Sequence, residues 1–166
     1  MSRDYPDWIH TEKAAQARRV FRGRVGCDQL PRLDGLIVNG QGNEIDFQIS
    51  FSLDGQGQVL AEVNLNGEIA LQCQRTLKTF RHAIESASKV AIVADEASVA
   101  ELPENYEPRL CPDQRLELLD LVGEEALLAL PLVPVDPESE PMPDLEESSD
   151  THRPFAALGK LSKNSK

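Results

Sequence analysis

Large rings are scarce in this chain: one tryptophan, two tyrosines and five phenylalanines make up 5% of its 166 residues. A core with so few aromatics must rely on Leu, Ile, Val and Ala, and at 40% hydrophobic residues it is a modest one. Cysteine is scarce too. Cys27, Cys73 and Cys111 are odd in number and far apart, which gives no disulfide framework and suits a reducing compartment. No stretch approaches the roughly 20 consecutive apolar residues of a membrane-spanning helix, the greasiest region being the interrupted 118–134. The N-terminal MSRDYPDWIHTEKAAQARR lacks the apolar run of a secretory signal. A cytoplasmic protein without a membrane partner is expected.

Positive charge is also in short supply. Seventeen Lys and Arg face 28 Asp and Glu, a net charge of -11. That balance argues against a non-specific nucleic-acid binder, because phosphate contacts require a surplus of cations. It points to basic protein partners. The charge is uneven: residues 95–125 hold ten acids and two bases, residues 136–150 seven acids and no base, and residues 152–166 four bases and no acid.

Catalytic signatures are missing as well. The chain has no GxxxxGK[ST], GxGxxG, HExxH or GxSxG pattern. His10, His82 and His152 are far apart, whereas metal and catalytic sites need clustered donors. The pairs Glu124 and Glu125, and Glu146 and Glu147, fall on what reads as a solvated helix face and in a linker. Without burial nothing moves their proton affinity into a catalytic range. No enzyme, cofactor, metal site or small-molecule substrate is expected.

What the sequence does contain is a sheet. From Ile45 to Leu53 every odd position is apolar and every even one polar, the period of a strand with one buried face. Asp54 to Gln58 supplies turn residues, and Val59, Ala61, Val63 and Leu65 form the returning apolar face. Asn66-Gly67 reads either as a hairpin turn or, preferably, as a glycine bulge inside one long bent strand resuming at 68–71. Residues 79–94 form a further extended segment. Leu116 to Leu130 has the pattern of the best helix, ended by Pro131. Shorter helices are expected at His10–Arg18, Asp28–Leu36 and Asp95–Leu102. The fold class is therefore α+β, a curved, mainly antiparallel sheet with a C-terminal helix and short N-terminal helices, in a domain of residues 1–135. Residues 136–151, rich in Pro and acids, read as a disordered linker. Residues 152–166 form a basic tail with Phe155, Leu158 and Leu161 at helical spacing.

The segment Leu71 to Phe80, LQCQRTLKTF, lies between two extended stretches and holds the densest positive spot mid-chain, Arg75, Lys78 and Arg81. One reading makes it a strand connection with Cys73 as a small buried apolar residue. The other makes it a partner surface, in which the three cations face phosphate and Phe80 lends structural support. The tail residues Phe155, Leu158 and Leu161 either dock on a partner or fold back on the domain.

At these residues the chain resembles the bacterial YceD family, the large ribosomal RNA subunit accumulation proteins. The resemblance rests on Leu71-Gln72-Cys73-Gln74-Arg75 with Phe80, on Leu102-Pro103-Glu104-Asn105-Tyr106-Glu107-Pro108, on Leu130-Pro131-Leu132-Val133-Pro134-Val135, and on Pro154-Phe155-Ala156-Ala157-Leu158, in that order. It implies a non-enzymatic part in the synthesis, processing or accumulation of large-subunit ribosomal RNA. Many relatives have Cys-x-x-Cys at this site, suggestive of zinc, where this chain has Thr76 in place of the second cysteine and no cysteine after Cys111. A lone thiolate cannot complete a tetrahedral zinc site, so no zinc is expected. An acidic factor for ribosomal RNA is reconciled with electrostatics if its direct partner is a basic large-subunit ribosomal protein or a pre-ribosomal particle, with RNA contacted at most within it. A general acidic adaptor unrelated to ribosomes is the alternative.

Overall fold

In the computed structural model, which describes residues 5–40 and 42–139, the long strands are where period two placed them. Strands β1 (Trp8–His10), β2 (Val20–Gly26), β3 (Glu44–Leu53), β4 (Val59–Gln72), β5 (Thr79–Val93), β6 (Glu107–Leu110) and β7 (Arg115–Glu117) alternate with helices α1 (Thr11–Gln16), α2 (Glu96–Val99) and α3 (Leu118–Leu128). The main sheet has the order β2-β3-β4-β5-β6, and β1 pairs with β7 in a second, two-stranded sheet. All pairings are antiparallel except that of β5 with β6. The class is α+β with a mostly antiparallel sheet and few helices.

One face of the sheet is the core. Ile45, Phe47, Ile49 and Phe51 of β3 and Val59, Ala61, Val63 and Leu65 of β4 are buried, while Leu53, at the strand end, is exposed. Helix α1 packs against β3 and β4, and α3 against β4, β5 and the turn Pro31–Leu33. Three ion pairs tie α3 down: Arg32 Nε to Asp120 Oδ1 at 3.0 Å, and Arg109 of β6 to Asp120 and Glu124. Between β3 and β4 the turn is held by Asp54, whose Oδ1 accepts from the backbone N–H of Gln56 at 2.8 Å and of Gln58 at 2.9 Å. This is the side-chain mimicry expected of a turn aspartate.

Several expectations are corrected. Asn66-Gly67 is neither a turn nor a bulge: β4 runs through it in unbroken register, Ile45 opposite Gly67 and Asp46 opposite Asn66. The glycine is there for space, since a Cβ at 67 would lie 2.4 Å from the Glu44 carbonyl oxygen. Asp28–Leu36 is not one helix. It breaks into two 3-10 turns, Cys27–Gln29 and Pro31–Leu33, because Pro31 denies the helix a donor and restrains Leu30. The helices at 10–18 and 95–102 shrink to α1 and α2, and the helix expected over 116–130 is α3 alone, residues 116 and 117 belonging to β7. Glu125 is not solvated: it is 3% exposed, and burial, with Glu107 adding repulsion, raises its carboxyl above the ordinary value. Strands β2 and β6 went unread. In β2 the buried positions Phe21 and Val25 flank Gly23, into whose empty side the Tyr5 ring packs, so the apolar alternation is interrupted.

Candidate functional site

The segment singled out by sequence is the connection between β4 and β5. Residues 73–78 turn the chain back, closed by Cys73 N–H donating to the Lys78 carbonyl at 2.9 Å and Leu77 N–H to the Cys73 carbonyl at 2.8 Å. Leu77 sits at φ 59°, the left-handed region that costs a side-chain-bearing residue about 1–2 kcal/mol. It is also 67% exposed. The backbone of Leu77 helps to close the loop, but its side chain buries little, and no period or motif pointed to it.

Against this loop lies the segment after α3. Gln74 N–H donates to the Pro134 carbonyl at 2.8 Å, Asp136 N–H to the Cys73 sulfur at 3.4 Å, and Arg75 Nε to Ser139 Oγ at 3.1 Å, with a second nitrogen of Arg75 also on Ser139. The expected linker thus begins, at 136–139, in contact with the loop. Residues 140–166, with Phe155, Leu158 and Leu161, lie outside the described residues.

Cys73 is fully buried, at 0% exposure, as the strand-connection reading expected. The Thr76 hydroxyl and the backbone N–H groups of Asp136, Thr76 and Arg75 converge on its sulfur and, against the effect of burial, lower its pKa to about 6. Burial instead pushes Cys27 up to about 11 and raises Cys111. The three thiols stand in three separate places, a 3-10 turn, the loop and the end of β6. Among the described residues no cluster of three or more Cys, His, Asp or Glu is placed to hold a metal ion. Zinc does not fit the donors present at Cys73.

The three cations divide. Arg75 is engaged by Ser139. Arg81 donates to Asn43 Oδ1 at 3.0 Å and to the Gly42 and Glu68 carbonyls at 2.8 Å. Asn43, a buried residue that sequence reasoning missed, also accepts from Ala70 N–H at 2.9 Å and donates to the Val38 carbonyl at 2.8 Å; its partners are up to 38 positions away, so nothing local announced it. Lys78 is exposed, and Phe80 is half-buried against the core, edge-on to His82 at 6.4 Å. Leu132, which lines a hollow with Gln74 of the loop, adds exposed apolar surface.

The family model described as Large ribosomal RNA subunit accumulation protein YceD matches residues 61–162, a span that begins in β4 and takes in this loop, α3 and the segment behind it. The chain belongs to the YceD family. A curated member, Large ribosomal RNA subunit accumulation protein YceD of Haemophilus influenzae, is 32% identical over 124 residues, which cover 74% of this chain and 71% of that protein. No solved structure matches the chain. The YceD name denotes an accumulation factor and no reaction. Among the described residues no helix is long and apolar enough to cross a membrane.

Proposed function

We propose that this YceD protein is a non-enzymatic factor in the synthesis, processing or accumulation of large-subunit ribosomal RNA, acting in the cytoplasm by binding a large-subunit ribosomal protein or a pre-ribosomal particle. The family match carries the reading, and the net charge of -11 supports it, since an acidic surface steers towards basic ribosomal proteins. The partner surface is the β4–β5 loop with its neighbours: Leu77 as apolar anchor, Lys78 at the rim, and Cys73, Arg75, Phe80 and Arg81 holding the loop in shape. Phe155, Leu158 and Leu161 add a second contact from the tail.

Capture from cell lysate with the full chain, both proteins and RNAs being identified, tests it. Large-subunit components should be enriched, and their absence from the bound fraction refutes the reading. Leu77→Asn locates the surface: asparagine tolerates the left-handed backbone, so stability should hold or rise while capture drops several-fold. Removing residues 152–166 should lower capture with little change in melting temperature. A large drop in that temperature would instead assign the tail to its own domain.

A further inference from the structure

The corner built by β1, α1 and β2 precedes the residues matched by the family model, and its charge opposes that of the chain. Residues 8–25 carry Lys13, Arg18, Arg19, Arg22 and Arg24 against Glu12 alone, within a net charge of -11. Arg24 is spent on Asp46, at 2.7 and 2.8 Å, and Arg22 on Gln48 Oε1 at 2.8 Å. Lys13, Arg18 and Arg19 are exposed. Lys13 and Arg19 line a shallow hollow of about 280 Å³ together with Trp8, His10 and Phe21, and no carboxylate stands among its described walls. Glu12 is turned away, accepting from Gln114 Nε2 at 2.7 Å.

Of the aromatics here Trp8 is open and Phe21 is buried, and each already bears a cation. Trp8 is 48% exposed, with the Arg115 guanidinium 4.2 Å over its ring, and Arg19 lies 5.7 Å from the Phe21 ring. His10 Nδ1 is buried without a hydrogen-bond partner among the described residues. Trp8 has Lys13 and Arg19 on one side and Asp7 and Glu117 beside Arg115 on the other. An exposed indole next to cations is the combination that single-stranded nucleic acid uses, its bases stacking on aromatic faces while its phosphates meet Lys and Arg. A duplex keeps its bases stacked inside and has no use for the indole. An acidic peptide would satisfy the cations and leave Trp8 idle, and a basic protein would be repelled.

We propose that this corner binds single-stranded RNA, a base stacking against Trp8 while neighbouring phosphates contact Lys13, Arg18 and Arg19. The choice of RNA rests on the proposed role in large-subunit assembly. Binding is weak and salt-sensitive, because the rest of the chain repels phosphate: three contacts at a slope of about 0.7 each lower affinity roughly 20-fold between 50 and 200 mM salt.

Trp8 is the sole tryptophan, so intrinsic fluorescence of the full chain, titrated with an unstructured ten-nucleotide RNA at both salt concentrations, reads the site directly. Saturable quenching with that salt dependence is expected. Combining Lys13→Glu with Arg19→Glu, both at exposed positions, should weaken binding at least tenfold. Arg18→Gly, which suits a backbone at φ 48° and so spares the fold, should weaken it a few-fold. Unchanged Trp8 emission, undiminished binding by the double variant, or equal quenching by a polyglutamate peptide of matched charge would overturn the proposal. Capture of large-subunit components from lysate is a separate measurement, so its failure and the failure of this site are told apart.

Discussion

Gly67→Ala is the sharpest perturbation of the scaffold that presents the β4–β5 loop. Gly67 lies on the central strand, opposite Ile45 of β3 and Ile84 of β5, and a Cβ there would sit 2.4 Å from the Glu44 carbonyl oxygen and 3.1 Å from the Ile45 Cα. Both neighbours are backbone, so no side chain can swing aside. Ordinary contact begins at 3.4 Å, and β3 must retreat by about 1 Å. That displacement breaks one or two ladder hydrogen bonds, each worth about 1 kcal/mol. It also loosens packing at Ile45 and Ile69, both fully buried, for a further ~1–2 kcal/mol. Replacing glycine lowers the entropy of the unfolded chain and returns about 0.4–1 kcal/mol. The net loss is ~2 kcal/mol, or about 4–8 °C in melting temperature for a domain of this size. Urea and thermal denaturation followed by circular dichroism measure it, with amide exchange expected to rise first along 44–46 and 66–68. A variant within 0.5 kcal/mol of the parent would show that the strands do not approach this closely, and the reasoning would fail.

Glu125→Gln should stabilise the protein at neutral pH. Its carboxyl is raised in the folded state from an ordinary 4.5, so the folded form binds more protons than the unfolded one above that value and stability falls as pH rises. The gain should vanish below pH 4, and an equal gain at every pH would refute the linkage. Arg75→Ala should free the segment at 136–139 from the loop and raise alkylation of Cys73 several-fold, read by peptide mass spectrometry. Releasing the segment takes the Asp136 N–H off the sulfur, but the Thr76 hydroxyl and the Thr76 and Arg75 N–H groups still favour the Cys73 thiolate, whereas burial pushes Cys27 up to about 11; unchanged labelling of Cys73 would mean that Arg75 does not hold the segment. Elemental analysis of the purified chain should find far less than one zinc per molecule, and a tightly held equivalent would show that ligands other than Cys73 complete a site.

The period-two runs at 45–53 and 59–65, the Asp54 turn, the Pro131 helix stop and the loop around Cys73 were legible locally, because strand alternation, turn chemistry and proline geometry act over a few residues. Composition likewise determined the acidic balance, and short motifs pointed to the family. Other features required distant parts of the chain to meet. Gly67 looked like punctuation until β3 pressed against it. Gly23 interrupted the pattern of β2 because Tyr5 supplies its missing side chain, and Glu125, polar in any sequence pattern, was buried by β5 and β6. The site divides in the same way. Its cysteine, cations and phenylalanine were visible in one segment, but which cations are spent depended on Ser139 and Asn43, and the exposure of Leu77 and Trp8 on where the fold leaves surface uncovered. Tertiary packing alone sets such pairings, since hydrogen bonds and burial are satisfied in space, between residues whose separation along the chain carries no signal.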